Sequence, residues 1–137
     1  MRRKVREHRD YILVREAISD LFKELRKHGF VARMCFTCCG SCGSYEGREI
    51  AVKQSKNKLV FYHRQNDESF KYDGKVYLHY LDINEQSHDE DCKRIGQEIV
   101  EIIGLNHPNI EAVWDGDPDK CIIVQRKGRY AEENTNI

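Results

Sequence analysis

"SFKYDGKVYLHYLDI", residues 69–83, carries the chain's strongest turn signal, Asp73-Gly74, between two stretches rich in β-formers. Two-residue Asp-Gly connections suit the twist of a hairpin, because both central positions take positive φ at little steric cost. The segment therefore reads as a hairpin whose better strand is "KVYLHYL". A second pair of strands, "IEAVWDG" and "KCIIVQR", flanks the turn-rich connector "DGDPD". Two successive hairpins favour an antiparallel or mixed sheet.

Outward from these strands the pattern changes period. Residues 4–28 carry Tyr11, Val14, Ile18, Leu21 and Leu25 at alternating three- and four-residue spacing, the stripe of an amphipathic helix that Gly29 ends. "FVARMCFT" (30–37) reads as a strand, and "SYEGREIAVKQSK" (44–56) as a weak helix. "KLVFYHR" (58–64) alternates, with Leu59, Phe61 and His63 on one face and Val60 and Tyr62 on the other. "SHDEDCKRIGQEIVEIIGLN" opens on a Ser87–Glu90 capping box and buries Cys92, Ile95, Ile99 and Ile102. The expected order is α-β-α-β-β-α-β-β. That predicts an α+β fold: a two-layer sandwich with an antiparallel or mixed sheet of about five strands and two or three helices on one face. Residues 1–127 are expected to form a single domain and 128–137 a polar, disordered tail.

Lys plus Arg and Asp plus Glu each number 23, so net charge is zero at neutral pH. A phosphate-binding surface ordinarily needs a basic excess, so no nucleic acid is expected as partner. No apolar run is long enough to span a bilayer, and the basic N-terminus lacks the apolar core of a secretory signal, so the expected location is cytoplasmic, away from membranes. In that compartment thiols stay reduced, and clustered cysteines bind metal or do redox chemistry more often than they staple a fold.

The cluster is "MCFTCCGSCGSYEG" (34–47), with four of the six cysteines in eight positions. Cys35-x-x-Cys38 and Cys39-x-x-Cys42 each have the spacing that lets two sulfurs reach one tetrahedral ion. Because the pairs abut, two or three of these thiolates with one ligand from elsewhere make the easier shell. His63 is one such ligand, and the His88/Cys92 pair on one helix face is another. An iron–sulfur cluster is less well matched, since its usual run needs a cysteine where Ser41 stands. The leading expectation is a zinc site of Cys38, Cys39 and Cys42, completed by Cys35 or His63.

Two alternatives stay open. "CGSC" (39–42) before a helix has the form of a redox dithiol, with Cys39 or Cys42 attacking and the other resolving, although the hairpin and the distant prolines do not suit a thioredoxin-type domain. One activated cysteine with His63 or His79 as base would serve as a nucleophile. The other alternative is a non-enzymatic protein-interaction module with its cysteines packed inside. Cys92 and Cys121 read as small buried hydrophobes. Trp114-Asp115 reads as a tryptophan packed before a turn, or else as the rim of a pocket beside the cysteines.

The segment "GFVARMCFTCCGSCG", the His63-x-Gln65-x-Asp67 stretch and the Trp114-Asp115-Gly116 turn together resemble a family of small bacterial proteins known only as a domain of unknown function. The likeness covers residues 10–126. It implies that Cys38, Cys39 and Cys42 are the core of any site and Cys35 an extra thiol, and it implies no activity.

Overall fold

The computed structural model describes residues 2–84 and 88–134. The chain runs α1 (Arg2–Lys27), β1 (Phe30–Arg33), α2 (Gly40–Lys53), β2 (Lys58–Phe61), α3 (Arg64–Asp73), β3 (Val76–Asp82), α4 (Asp89–Asn106), β4 (Ile110–Val113), β5 (Ile122–Arg126) and α5 (Arg129–Asn134). The fold is α+β around a five-stranded mixed sheet of order β1-β2-β3-β5-β4. β1 and β2 are parallel, joined by α2, and every other neighbour is antiparallel. No described helix is long and apolar enough to cross a membrane.

Strand alternation sorts the sheet into two faces. Val60, Tyr62, Val76, Leu78 and Val124 turn to the larger core, where α1 delivers Val14, Ile18, Leu21 and Leu25, α3 delivers Phe70, and α4 delivers Ile95 and Ile99. Leu59 and Phe61 turn to a smaller core on the other face, closed by Ala51 of α2. Trp114 belongs to the larger side: its ring stands edge-on to Tyr80 and lies where a side chain on Gly96 of α4 would be, while Nε1 donates to the Asp117 carbonyl at 3.0 Å.

Residues 69–73, expected as the first strand of a hairpin, belong instead to the helix α3, which begins at Arg64. Gly74 does take positive φ (77°), yet it uses that freedom to end a helix, and its N–H donates to the Phe70 carbonyl at 2.8 Å. Left-handed glycine serves a helix C-terminus and a hairpin turn equally well, so the Asp-Gly pair alone does not decide between them. The start of α3 decides it: His63 Nδ1 accepts the Asn66 N–H at 3.3 Å, and Asn66 Oδ1 accepts the His63 N–H at 3.2 Å.

The helix expected at 44–56 begins earlier, at Gly40. Gly40, Gly43 and Gly47 lie three and four residues apart and turn toward the sheet. A Cβ on Gly43 would fall 2.3 Å from the Phe61 ring, and one on Gly47 would fall 2.5 Å from Leu59. These glycines let the helix backbone rest directly on β2.

The capping box expected at Ser87 lies outside the described residues. At the described start of α4, Asp91 accepts the His88 N–H at 3.0 Å. The expected polar tail opens with α5. Arg129 is buried there and donates to the Asp10 carboxylate at 3.4 Å and to the Asp73 carbonyl, while Arg126 bonds Asp10 at 2.8 Å.

Gly43→Ala tests the close seating of α2. Alanine favours an isolated helix by about 1 kcal/mol, but overpacking against Phe61 costs roughly 1–3 kcal/mol or more. We expect net destabilisation, read as a lower urea midpoint. An unchanged or raised midpoint would show that α2 does not need this contact.

Candidate metal centre

The β1–α2 loop places the thiols. Its backbone runs beside the end of β2: the Phe36 N–H donates to the Tyr62 carbonyl at 2.7 Å, and the Arg64 N–H to the Thr37 carbonyl at 3.0 Å. Cys35 (φ 49°) and Thr37 (φ 61°) are both held left-handed. That conformation is unusual for any residue but glycine and most unusual for a β-branched one, and it costs about 1–3 kcal/mol per residue. Thr37 Oγ1 donates to the Cys39 carbonyl at 3.0 Å, which ties the loop to the first turn of α2. Cys39 is the N-cap of that helix.

The result is a triangle of sulfurs. Cys38 Sγ lies 3.8 Å from Cys39 Sγ and 3.5 Å from Cys42 Sγ, and all three sulfurs lie within 4.8 Å of one another. A tetrahedral ion with metal–sulfur bonds of about 2.3 Å holds neighbouring sulfurs roughly 3.8 Å apart, so the triangle has the size of one face of such a shell. Cys38 and Cys42 are exposed and Cys39 half-buried, and all six cysteines are free thiols. Sequence spacing paired Cys35 with Cys38 and Cys39 with Cys42. The fold keeps Cys39 beside Cys42 and adds Cys38, four residues before Cys42, while Cys35 stays outside the group.

The three sulfurs share one electrostatic setting. The N–H groups of Cys42 and Ser41 face Cys39 Sγ without closing a capping bond, and with the neighbouring thiols they hold the Cys39 thiol below its usual range. Cys42 is pushed up to about 11, chiefly because it hydrogen-bonds with Cys38 and Cys39. The N-terminal end of α2 adds a favourable field for negative charge at this spot.

Among the described residues no other His, Cys, Asp or Glu joins this group. Cys35 is exposed and pairs with Asp67; burial and the Asp67 carboxylate raise its pKa. His63 is buried and caps α3. Its Nδ1 accepts a hydrogen bond from Asn66, so a neutral ring carries its proton on Nε2 and presents an N–H there rather than a lone pair. His88 stands at the N-cap of α4, and Cys92 is half-buried in that helix, away from the triangle.

A cluster that sequence reasoning did not assemble lies under the start of α2. His79 stacks on Phe61 with ring centres 5.0 Å apart, tilts against His63 at 4.9 Å, and has both ring nitrogens 3.7–3.8 Å from Cys121 Sγ. The imidazole occupies the space a side chain on Gly40 would need, with Cε1 3.2 Å from that Cβ position. Burial, then the neighbouring His63, lowers the His79 pKa to about 4, and burial raises that of Cys121. Both groups are therefore neutral near pH 7, and no thiolate–imidazolium pair forms. Trp114, Asp115 and Cys121 line a groove of about 630 Å³ that the triangle does not line.

The chain belongs to the family described as Domain of unknown function (DUF6891), whose model matches residues 14–128. No curated protein and no solved structure matches it.

The His79 environment has a pH consequence. An imidazole whose folded pKa lies below its unfolded one binds fewer protons in the native state, so acid favours unfolding. Neutral His79 contributes stability above about 6.5 that is lost as pH falls through about 4. Urea titrations across this window should show a shallower pH slope for His79→Gln than for the wild type. Comparing the two removes the contribution of carboxylates such as Glu24 and Glu111, whose lowered pKa values give slope in the same direction. Equal slopes would mean that His79 is free to protonate in the folded protein.

Proposed function

We propose that this chain is a metal-binding domain in which Cys38, Cys39 and Cys42 hold one zinc ion as thiolates. The observation that supports the reading best is the sulfur triangle, whose edges from Cys38 measure 3.5 and 3.8 Å. Thiolate ligands favour zinc, monovalent copper and iron–sulfur clusters over hard ions. Of these we choose zinc, because Ser41 interrupts the usual cluster run and the edges suit a tetrahedral ion. The ion would supply either a structural crosslink between loop and helix or an electrophilic centre. The thiols must stay reduced to serve, which agrees with a cytoplasmic location.

Metal analysis of protein purified without chelator is the test. We expect about one zinc per chain in the wild type and loss of most of it in Cys38→Ser or Cys42→Ser, because metal affinity depends on ligand count. Less than roughly a tenth of an equivalent in the wild type, with all six thiols titratable, would rule the reading out.

A specific observation favours one second reading, a redox dithiol. Cys39 at the helix cap is the more acidic thiol, and Cys42, three residues on, is the less acidic partner. In metal-free protein, rapid alkylation of Cys39 alone at pH 6 would favour that chemistry, and uniform slow alkylation would exclude it.

Thr37 separates site geometry from fold stability. Thr37→Gly relieves left-handed strain, and that gain is offset by the greater freedom of unfolded glycine and by loss of the Oγ1 bond to the Cys39 carbonyl, so the metal-free stability should move by less than about 1 kcal/mol. Zinc affinity should fall several-fold, because Cys38 is no longer held over Cys42. Equal affinities in a competition titration would show that the strained loop is not what positions Cys38.

A further inference from the structure

We propose that the ion held by Cys38, Cys39 and Cys42 reserves its fourth position for a thiolate that this chain does not supply. The inference rests on the metal reading above and adds the ligand class of the same site. A closed structural zinc site takes four protein ligands. Here the group stops at three among the described residues. Each nearby donor has another role. Cys35 is paired with Asp67, His63 presents an N–H, and Cys121 packs against His79. Cys38 and Cys42 are exposed, so the open side of the triangle faces solvent.

The charge of the shell selects what enters. Three thiolates around a divalent ion leave a net charge of minus one. That donated charge weakens the pull of the ion on a bound water, in contrast to shells of neutral imidazoles, which bring such water near neutral pKa. A soft sulfur donor suits the remaining position better than oxygen. The exchange is balanced: a thiol RSH binds through sulfur as RS⁻, one water leaves the ion, and the thiol proton passes to solvent. No electron transfer is involved. The sulfur can come from a small thiol or from a cysteine of another protein.

Cobalt(II) substitution reads this directly, because sulfur-to-cobalt charge-transfer absorption grows with the number of bound sulfurs. The full-length protein is loaded with one equivalent of cobalt and titrated with glutathione, and separately with a reduced single-cysteine peptide too large for a narrow site. We expect the absorption to begin at a three-sulfur intensity and rise to that of four sulfurs, with one cobalt retained per chain after desalting. A rise with both probes assigns the position to protein thiols as well as small ones, and a rise with glutathione alone assigns it to small thiols. A four-sulfur spectrum before any thiol is added, reduced in Cys35→Ser, overturns the inference by showing that Cys35 closes the shell. A three-sulfur spectrum that neither thiol changes overturns it too. Wild-type protein that binds no cobalt sinks the metal reading itself, and the inference with it.

Discussion

The contact on which the rest of this molecule depends is the meeting of the α2 backbone with the sheet. Gly40, Gly43 and Gly47 strip one face of the helix so that it lies on His79, Phe61 and Leu59 with no side chain between. Three glycines cost a helix about 1 kcal/mol each relative to alanine. Full burial of Phe61 and Leu59 contributes roughly 1.5–3 kcal/mol apiece, which offsets that cost. The seating fixes where the helix begins, and with it the positions of Cys39 and Cys42.

The loop before α2 has to meet that fixed start. β1 and β2 are parallel neighbours, so the chain leaves β1, crosses the end of β2 and turns back into the helix within six residues. Hydrogen bonds to Tyr62 and from Arg64 hold it against β2 while Cys35 and Thr37 absorb the turn in left-handed conformations. Strain of this kind persists only where surrounding contacts over-determine it, and it commonly accompanies function. Its effect here is to carry Cys38 over the first turn of α2, which no regular extension of β1 would do.

Periodicity made α1, β2, α4 and the β4–β5 pair legible, because each buries one face and the apolar spacing records it. Two elements were hidden for physical reasons. α3 has only Phe70 buried, too little for a stripe, and its closing glycine uses the same φ as a hairpin turn. A usable signal was the His63-x-x-Asn66 spacing, a capping box with imidazole in place of hydroxyl. The start of α2 was masked by glycines that read as turn formers, whereas their spacing of three and four residues marks one helix face. For the site, the clustered cysteines included Cys38, Cys39 and Cys42, the three that the fold brings together. His63 could not be judged from spacing, since its ligand value depends on which nitrogen carries the proton. That is set by a backbone contact visible only once α3 exists.

The buried imidazoles complete the electrostatic picture of the centre. The N-terminal end of a helix carries positive partial charge, and the first turn of α2 carries the thiols and lies against His79 at Gly40. Positive charge on His79 would sit in a low-dielectric site beside His63, which is why the ring is held neutral. Negative charge on the sulfurs has the opposite fate: it is favoured by the N–H groups around Cys39 and disfavoured chiefly by its own crowding, as the raised Cys42 shows. Three thiols this close cannot all ionise unaided. A cation among them would remove that repulsion, and the neutral His79 ring does not supply one.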